Sequence, residues 1–283
     1  MRHFSKSLLA LLLVVLVGFF AAGCKQQQAA QPGAAKEELV IAVDTHYAGP
    51  MFDGGAATGT NIYEPLLFLN ERLEIKPGLV TSWERLDPLT WRFQLRKGVK
   101  FHNGKDFKAE AAVFAFTRIL EQPKGWLKGR VSKVVDHNSF RVVDDFTVDV
   151  KTLKPFPFLP YLMSHPYMVV AEPEAAEKEE IVGTGPFKFK ENVQDQHVVV
   201  ERNEEYWGGK SQVKRIVFKT IPDSNTRLMA LQKGEIDVAL DPPTASVAEI
   251  NREGRFNVVI SPRVSTVDIL FNRTRDPFND IRV

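Results

Sequence analysis

Leu79–Leu120 reads LVTSWERLDPLTWRFQLRKGVKFHNGKDFKAEAAVFAFTRIL, and this stretch decides the fold. Trp91, Phe93 and Leu95 alternate with polar neighbours, the period of a half-buried strand paired in a hairpin. A Lys/Gly/Asn-rich turn follows from Arg96 to Lys105, with Gly98 and Gly104 inside it. From about Asp106 the apolar residues fall at Phe107, Ala111, Phe114 and Ile119, which lie on one face of a helix. Strand gives way to helix across one short turn, so the stretch predicts a mixed α/β domain.

Upstream, Leu39–Val43 (LVIAV) is a short apolar run and reads as a buried strand. The segment Asp44–Thr60 that follows is rich in glycine and carries His46, Tyr47 and Asp53, so it reads as a loop set on a sheet. Gly54 and Gly59 have the spacing of a phosphate-binding loop. Thr60 stands where that loop requires lysine, so the match fails. Asn61–Leu69 has helical spacing of its apolar residues, with Pro65 limiting the helix to short or N-terminal pieces.

Downstream, Phe140–Thr152 predicts two strands joined at Asp144-Asp145, and Tyr167–Ala171 predicts another strand. Gly183-Thr-Gly-Pro-Phe187 admits two readings: a cleft-lining loop near a hinge, or a structural arch, and the residue types alone favour the arch. Val213–Ile221 alternates as a half-buried strand. Asp223 or Ser224 caps a helix over Asn225–Lys233, and Gly234 closes it. Phe256–Ile260 and Thr266–Phe271 read as further strands.

The N-terminus reads as an address rather than as structure. Arg2 and Lys6 precede the apolar run Leu8–Ala22, which is shorter than the about 20 residues a spanning helix needs. Ala21-Ala22-Gly23-Cys24 follows and resembles a bacterial lipobox, with Cys24 as the lipidated residue; an ordinary signal peptide or a short anchor helix, with a buried cysteine, is the alternative. Lys25–Glu38 has no apolar periodicity and reads as a flexible tether.

Composition excludes several classes. Of 37 basic residues, Arg2 and Lys6 lie in the acid-free first 23, which leaves 35 against 35 acidic residues. A neutral body offers no electrostatic case for nucleic acid. Cys24 is the only cysteine, so no internal disulfide and no thiolate cluster forms. Nucleophile-elbow, HExxH, EF-hand and dinucleotide motifs are all missing from the sequence, and the chain reads as a non-enzyme with no cofactor and no metal centre. The six histidines are scattered; His102 could ligate a metal, but a turn-stabilising side chain is the better reading because no second ligand is near in sequence. The four tryptophans, Trp83, Trp91, Trp126 and Trp207, could each stack on a ligand.

The patterns SWE…D…TWRFQLRKGVKFHNGK, YEPLL, VGTGPFKFKE…VVVERNEEYWGGK, IPDSNTRLMALQKGEIDVAL and N…PFNDIRV resemble family 5 extracellular solute-binding proteins, the peptide, oligopeptide and nickel receptors of ABC importers. The resemblance covers about Leu39–Val283. It implies a type II periplasmic-binding-protein-like mixed-sheet lobe over 39–270, with a subdomain at roughly 60–170. It further implies a crossover at 271–283 into a second lobe that this sequence does not contain. By position it implies that Tyr47, Asp53, Gly54, Gly55, Trp126, Ser265, Thr266 and Val267 contact the solute. The implied partners are a peptide or other small solute, an ABC permease, and the membrane through a lipid anchor on Cys24. The implied receptor is a monomer in the cell envelope, facing the periplasm or exterior. A nickel or haem receptor, a surface enzyme on the same scaffold, and a one-lobed lipoprotein that docks another protein are the alternatives.

Overall fold

In the computed structural model, which describes residues 36–44, 59–123, 125–260, 274 and 276, and of Trp126 the backbone only, the first apolar run forms β1 (Glu38–Val43). A one-turn helix α1 (Gly59–Ile62), the strand pieces β2 (Glu64–Pro65), β3 (Leu67–Leu69) and β4 (Ile75–Pro77), and the hairpin β5 (Val80–Arg85)–β6 (Thr90–Leu95) come next. Helices α2 (Ala109–Glu121) and α3 (Trp126–Val131) precede a second hairpin, β7 (Phe140–Asp144)–β8 (Thr147–Lys151). The order continues through α4 (Leu159–Met163), β9 (Val169–Val170) and α5 (Pro173–Glu177) to β10 (Phe187–Val193), β11 (His197–Arg202) and β12 (Arg215–Thr220). Helix α6 (Ser224–Lys233), β13 (Val238–Ala239) and α7 (Val247–Glu253) follow. No helix of the described residues is long and apolar enough to cross a membrane.

Two sheets carry the architecture. One is five-stranded, in the order β10-β11-β12-β1-β13, with β1 parallel to both of its neighbours and β10–β12 antiparallel. Because β12 and β13 flank β1, α6 crosses over β1 between them, the expected strand–helix–strand unit. Alternation along β1 serves both faces: Leu39, Ile41 and Val43 join one core with Tyr63, Val169, Phe187 and Phe218, while Val40 and Ala42 pack with Ala230 and Ile236 on the other. The second sheet is antiparallel, β5-β6-β8-β7, and its apolar face packs on α2. Phe93 and Leu95 of β6, Val148 and Val150 of β8, and Ala112 and Phe116 of α2 build that core. Trp83, Trp91 and Trp207 pack against its edge, and Trp91 stacks on Phe93 at 6.4 Å between centroids.

Local signals explain the element ends. Asp144 accepts the Phe146 N–H at 2.8 Å and so closes the β7–β8 turn. The Asp223 carboxylate caps α6 by accepting the Thr226 N–H at 2.7 Å, and Gly234, at φ 75°, ends the helix in the left-handed region.

Four expectations need correction. Helix α2 begins at Ala109 rather than near Asp106, because Asp106 bridges to Lys100 and the Phe107 N–H bonds the Val99 carbonyl, which holds 106–108 extended. Asn61–Leu69 is mostly strand: the helix stops at Ile62, and Glu64-Pro65 pairs with Val169–Val170 instead. For the same reason the strand expected over Tyr167–Ala171 shrinks to Val169–Val170, since its partner β2 is only two residues long. Phe256–Ile260 forms no strand. Val259 and Ile260 have no ladder partner among the described residues and are 82% and 80% exposed.

Candidate functional site: the carboxyl edge of the parallel strands

Three parallel strands end side by side at one edge. Val43 pairs with Thr220 and Ala42 with Ala239, and the ladder runs on as Ile221 N–H bonds the Val43 carbonyl at 2.9 Å and Leu240 N–H the Ala42 carbonyl at 3.0 Å. The exits from β1, β12 and β13 are therefore neighbours. In open α/β sheets, this is where ligands sit.

A buried arginine holds this edge together. Arg227 of α6 donates from Nε to the Leu240 carbonyl (2.9 Å), from Nη1 to the Ile221 (2.6 Å) and Pro222 (2.9 Å) carbonyls, and from Nη2 to the Asp241 carbonyl (3.0 Å). One planar cation thereby ties the end of β12 to the end of β13, and Asp241 is held at φ 48°, an unfavourable left-handed conformation for a residue with a Cβ. Truncating Arg227 to methionine orphans carbonyls that water cannot all reach. It is expected to lower urea-unfolding stability by about 3 kcal/mol, with Arg227→Lys recovering less than half, because one ammonium cannot span both strand ends.

The core on one face of β1 holds Tyr63 and Val169, beside a second buried arginine. Val43 shares a core with Tyr63 and Val169. Arg118 of α2, itself buried, donates through Nη2 to the Tyr167 (3.2 Å) and Val169 (3.0 Å) carbonyls. Burial pushes the Arg118 guanidinium down to about 9 and the Tyr63 hydroxyl upward, so at neutral pH the one is charged and the other neutral. His165 accepts the Tyr167 N–H on Nδ1 at 3.2 Å, stacks on the Tyr167 ring at 5.5 Å, and is pushed down by burial and then by Arg130 of α3. Arg118 thus fastens α2 to the Tyr167–Val169 backbone, with Tyr63 and His165 as its buried and half-buried neighbours.

The Gly183–Pro186 loop has a structural task. A Cβ on Gly183 would meet the Ile62 carbonyl oxygen at 2.1 Å, and one on Gly185 the Asn61 carbonyl oxygen at 2.5 Å. Both glycines are there for close backbone approach. Thr184 between them donates to the buried Glu64 carboxylate at 2.8 Å, which also accepts from Tyr206 Oη (2.7 Å) and Trp207 Nε1 (2.9 Å). Arg96 lies 4.2 Å above the Trp207 ring. Burial pushes the Glu64 carboxyl up and the three donors pull it down, burial being the larger effect. On the other side, His102 Nε2 donates to the Gly185 carbonyl at 3.0 Å, while Nδ1 accepts the Gly183 N–H at 3.4 Å. Both ring nitrogens of His102 are thus engaged in tying its turn to this loop, and among the described residues no group of three or more His, Cys, Asp and Glu could hold a metal ion.

The sequence-derived site residues Tyr47, Asp53, Gly54, Gly55, Ser265, Thr266 and Val267, and Cys24, lie outside the described residues. Trp126 opens α3, with only its backbone described. Sequence reasoning missed Arg227, Arg118, His165 and Glu64. Only Glu64 left a trace, as a lone acid in the apolar run Ile62–Leu69.

A mixed sheet whose parallel strands end side by side at one edge, with an antiparallel sheet-and-helix unit inserted between β1 and β10, defines a type II periplasmic-binding-protein lobe. Its solved neighbours have that fold. A dipeptide binding protein from Pseudoalteromonas sp. SM9913 in complex with Met-Leu superposes with TM-score 0.74 at 23% identity, over 86% of this chain and 55% of that one. The periplasmic binding protein DppA from Helicobacter pylori in complex with the peptide STSA gives TM-score 0.68 at 26% identity, over 76% and 48%. The chain belongs to the bacterial extracellular solute-binding proteins of family 5, whose Middle model matches residues 74–283. Among curated relatives, the nickel-binding periplasmic protein of Escherichia coli is 31% identical over 78% of this chain and 44% of its own length. The glutathione-binding protein GsiB of Salmonella choleraesuis is 30% identical over 93% and 54%. The chain spans about half the length of the curated relatives it matches.

Proposed function

We propose that this chain is the first lobe of a lipid-anchored substrate-binding component of an ABC importer, which takes a peptide or peptide-like solute at the carboxyl edge of β1 and delivers it to the permease. The observation that carries the reading is the exit of β1 between two parallel partners, which sends the Asp44–Thr60 segment off the ligand edge of the sheet. On this reading Tyr47, Asp53, Gly54 and Gly55 contact the solute from that segment. Trp126 contributes from the start of α3, and Ser265, Thr266 and Val267 line the solute as a strand to which its main chain pairs. Closure of a second lobe over the bound solute would be the signal read by the permease. Cys24 carries the lipid, and the tether that holds the receptor at the envelope is the part of Lys25–Glu38 that precedes the folded body, which begins by Lys36 with its bond to Asp237 and continues into β1 at Glu38.

Relatives named for glutathione and dipeptide binding support this reading, and relatives named for nickel and haem supply a second. A thermal-shift screen against di- to pentapeptides, glutathione, nickel–histidine and haem separates the two. A solute at 100 times its Kd stabilises by about 2.7 kcal/mol. A shift with a peptide or glutathione alone supports the first reading, a shift with nickel–histidine or haem alone replaces it with the second, and no shift with any of them at millimolar concentration contradicts both.

A further inference from the structure

We propose that the Gly183–Gly185 loop is an acid-released latch, held closed by the neutral imidazole of His102, between the Phe101–Lys105 turn and the five-stranded sheet. The proposal is independent of which solute binds.

Four hydrogen bonds cross this junction. The His102 N–H bonds the Gly183 carbonyl (2.9 Å), the Gly183 N–H bonds His102 Nδ1 (3.4 Å), His102 Nε2 bonds the Gly185 carbonyl (3.0 Å), and Lys188 Nζ bonds the His102 carbonyl (3.2 Å). The pattern fixes the tautomer: the proton sits on Nε2, and Nδ1 must be an acceptor. A second proton on Nδ1 would face the Gly183 N–H donor to donor. The loop has no room to shift toward α1, because both glycines already lie against the Asn61–Ile62 backbone, so relief comes by opening the junction.

The surrounding charges oppose protonation. From β10 Lys188 faces the imidazole, and among the described residues no carboxylate answers it: Asp106 is engaged with Lys100, Glu172 and Glu174 with Lys105, Glu172 also with Asn103, and Glu64 lies beyond Thr184 with its own three donors. Asn203 donates to the Gly185 carbonyl and is uncharged. Burial, the largest cause, holds the His102 ring down to about 4, below its ordinary 6.5. The folded value lies below the unfolded one, so the closed latch is fully favoured above about pH 6.5 and progressively lost as pH falls toward 4. Between pH 7 and pH 5 the open-to-closed ratio rises about twentyfold. His165, the other depressed histidine, lies against Tyr167 and Arg130 and makes none of the junction's hydrogen bonds.

Hydrogen exchange on the full chain, followed by mass spectrometry and corrected for the intrinsic pH dependence of exchange, tests this. Peptides covering 181–187 are expected to lose about twentyfold in protection from pH 7 to pH 5, while the β5–β6 hairpin keeps its own. His102→Gln should start less protected at pH 7 and lose the pH dependence. Equal protection of wild type at both pH values, or the same fall in His102→Gln, overturns the latch. Should that variant fail to fold, the wild-type imidazole titration by NMR decides: a midpoint well below 6.5 supports the latch, and one at the ordinary value overturns it.

Discussion

Glu64→Ala is expected to lower unfolding free energy by about 4 kcal/mol, whereas Glu64→Gln should cost less than about 1 kcal/mol. Alanine leaves three buried or half-buried donors, on Thr184, Tyr206 and Trp207, with no acceptor, and each orphaned donor costs about 1–3 kcal/mol. Glutamine can satisfy all three. Its oxygen takes the place of Oε2, which serves Thr184 and Trp207, and its amide donates to the Tyr206 hydroxyl, which can turn round to accept. Glutamine also removes a buried charge, which offsets part of the loss. Urea unfolding of both variants at neutral pH separates a hydrogen-bond hub from a residue needed for its charge. A large loss in Glu64→Gln would mean that the negative charge itself is required.

Gly183→Ala is the second large effect, about 4 kcal/mol or outright failure to fold. The new Cβ would lie 2.1 Å from the Ile62 carbonyl oxygen and 2.8 Å from the Tyr63 ring, and the first of these is backbone already bonded to the Gly185 N–H at 2.9 Å. By contrast a Cβ on Gly129 meets nothing within 4 Å, so Gly129→Ala should be neutral or slightly stabilising within its helix. Thermal denaturation of the pair checks both statements, and a mild Gly183→Ala would show that α1 and the Gly183–Pro186 loop can move apart.

Most of the framework was legible because it is written in local patterns. The alternation Trp91–Phe93–Leu95 needs only a sheet with one buried face, and the cap Asp223 with the stop Gly234 needs only a helix between them. The failures have a common cause, which is distance along the chain. Asn61–Leu69 has helical spacing, but Pro65 and the pairing of Glu64-Pro65 with Val169–Val170 turn it into strand, and a partner more than one hundred residues away leaves no local mark. Glu64 meets Thr184 at a separation of 120 residues and Tyr206 and Trp207 at 142 and 143. The three motifs YEPLL, GTGPF and EEYWGG were each visible, while their convergence on one carboxylate was not. Arg227 and Arg118 were hidden for another reason. They bond main-chain carbonyls, which every residue has, so no side-chain pattern announces the partner.

Scaffold and site are thus distinct in this chain. Leu79–Leu120 and the Glu64 hub build the antiparallel unit and fix it to the five-stranded sheet, while the proposed recognition belongs to the exits of β1, β12 and β13. The central claim is that the solute lies at that edge. Hydrogen exchange of the full chain, with and without the solute that gives the largest thermal shift, tests it most directly. The account predicts that protection on binding is concentrated in 44–55 and 240–243, with the Gly183–Gly185 and 206–207 segments unchanged. Protection confined to the Glu64 hub or to the β5–β8 sheet, with none at the carboxyl edge, would contradict it.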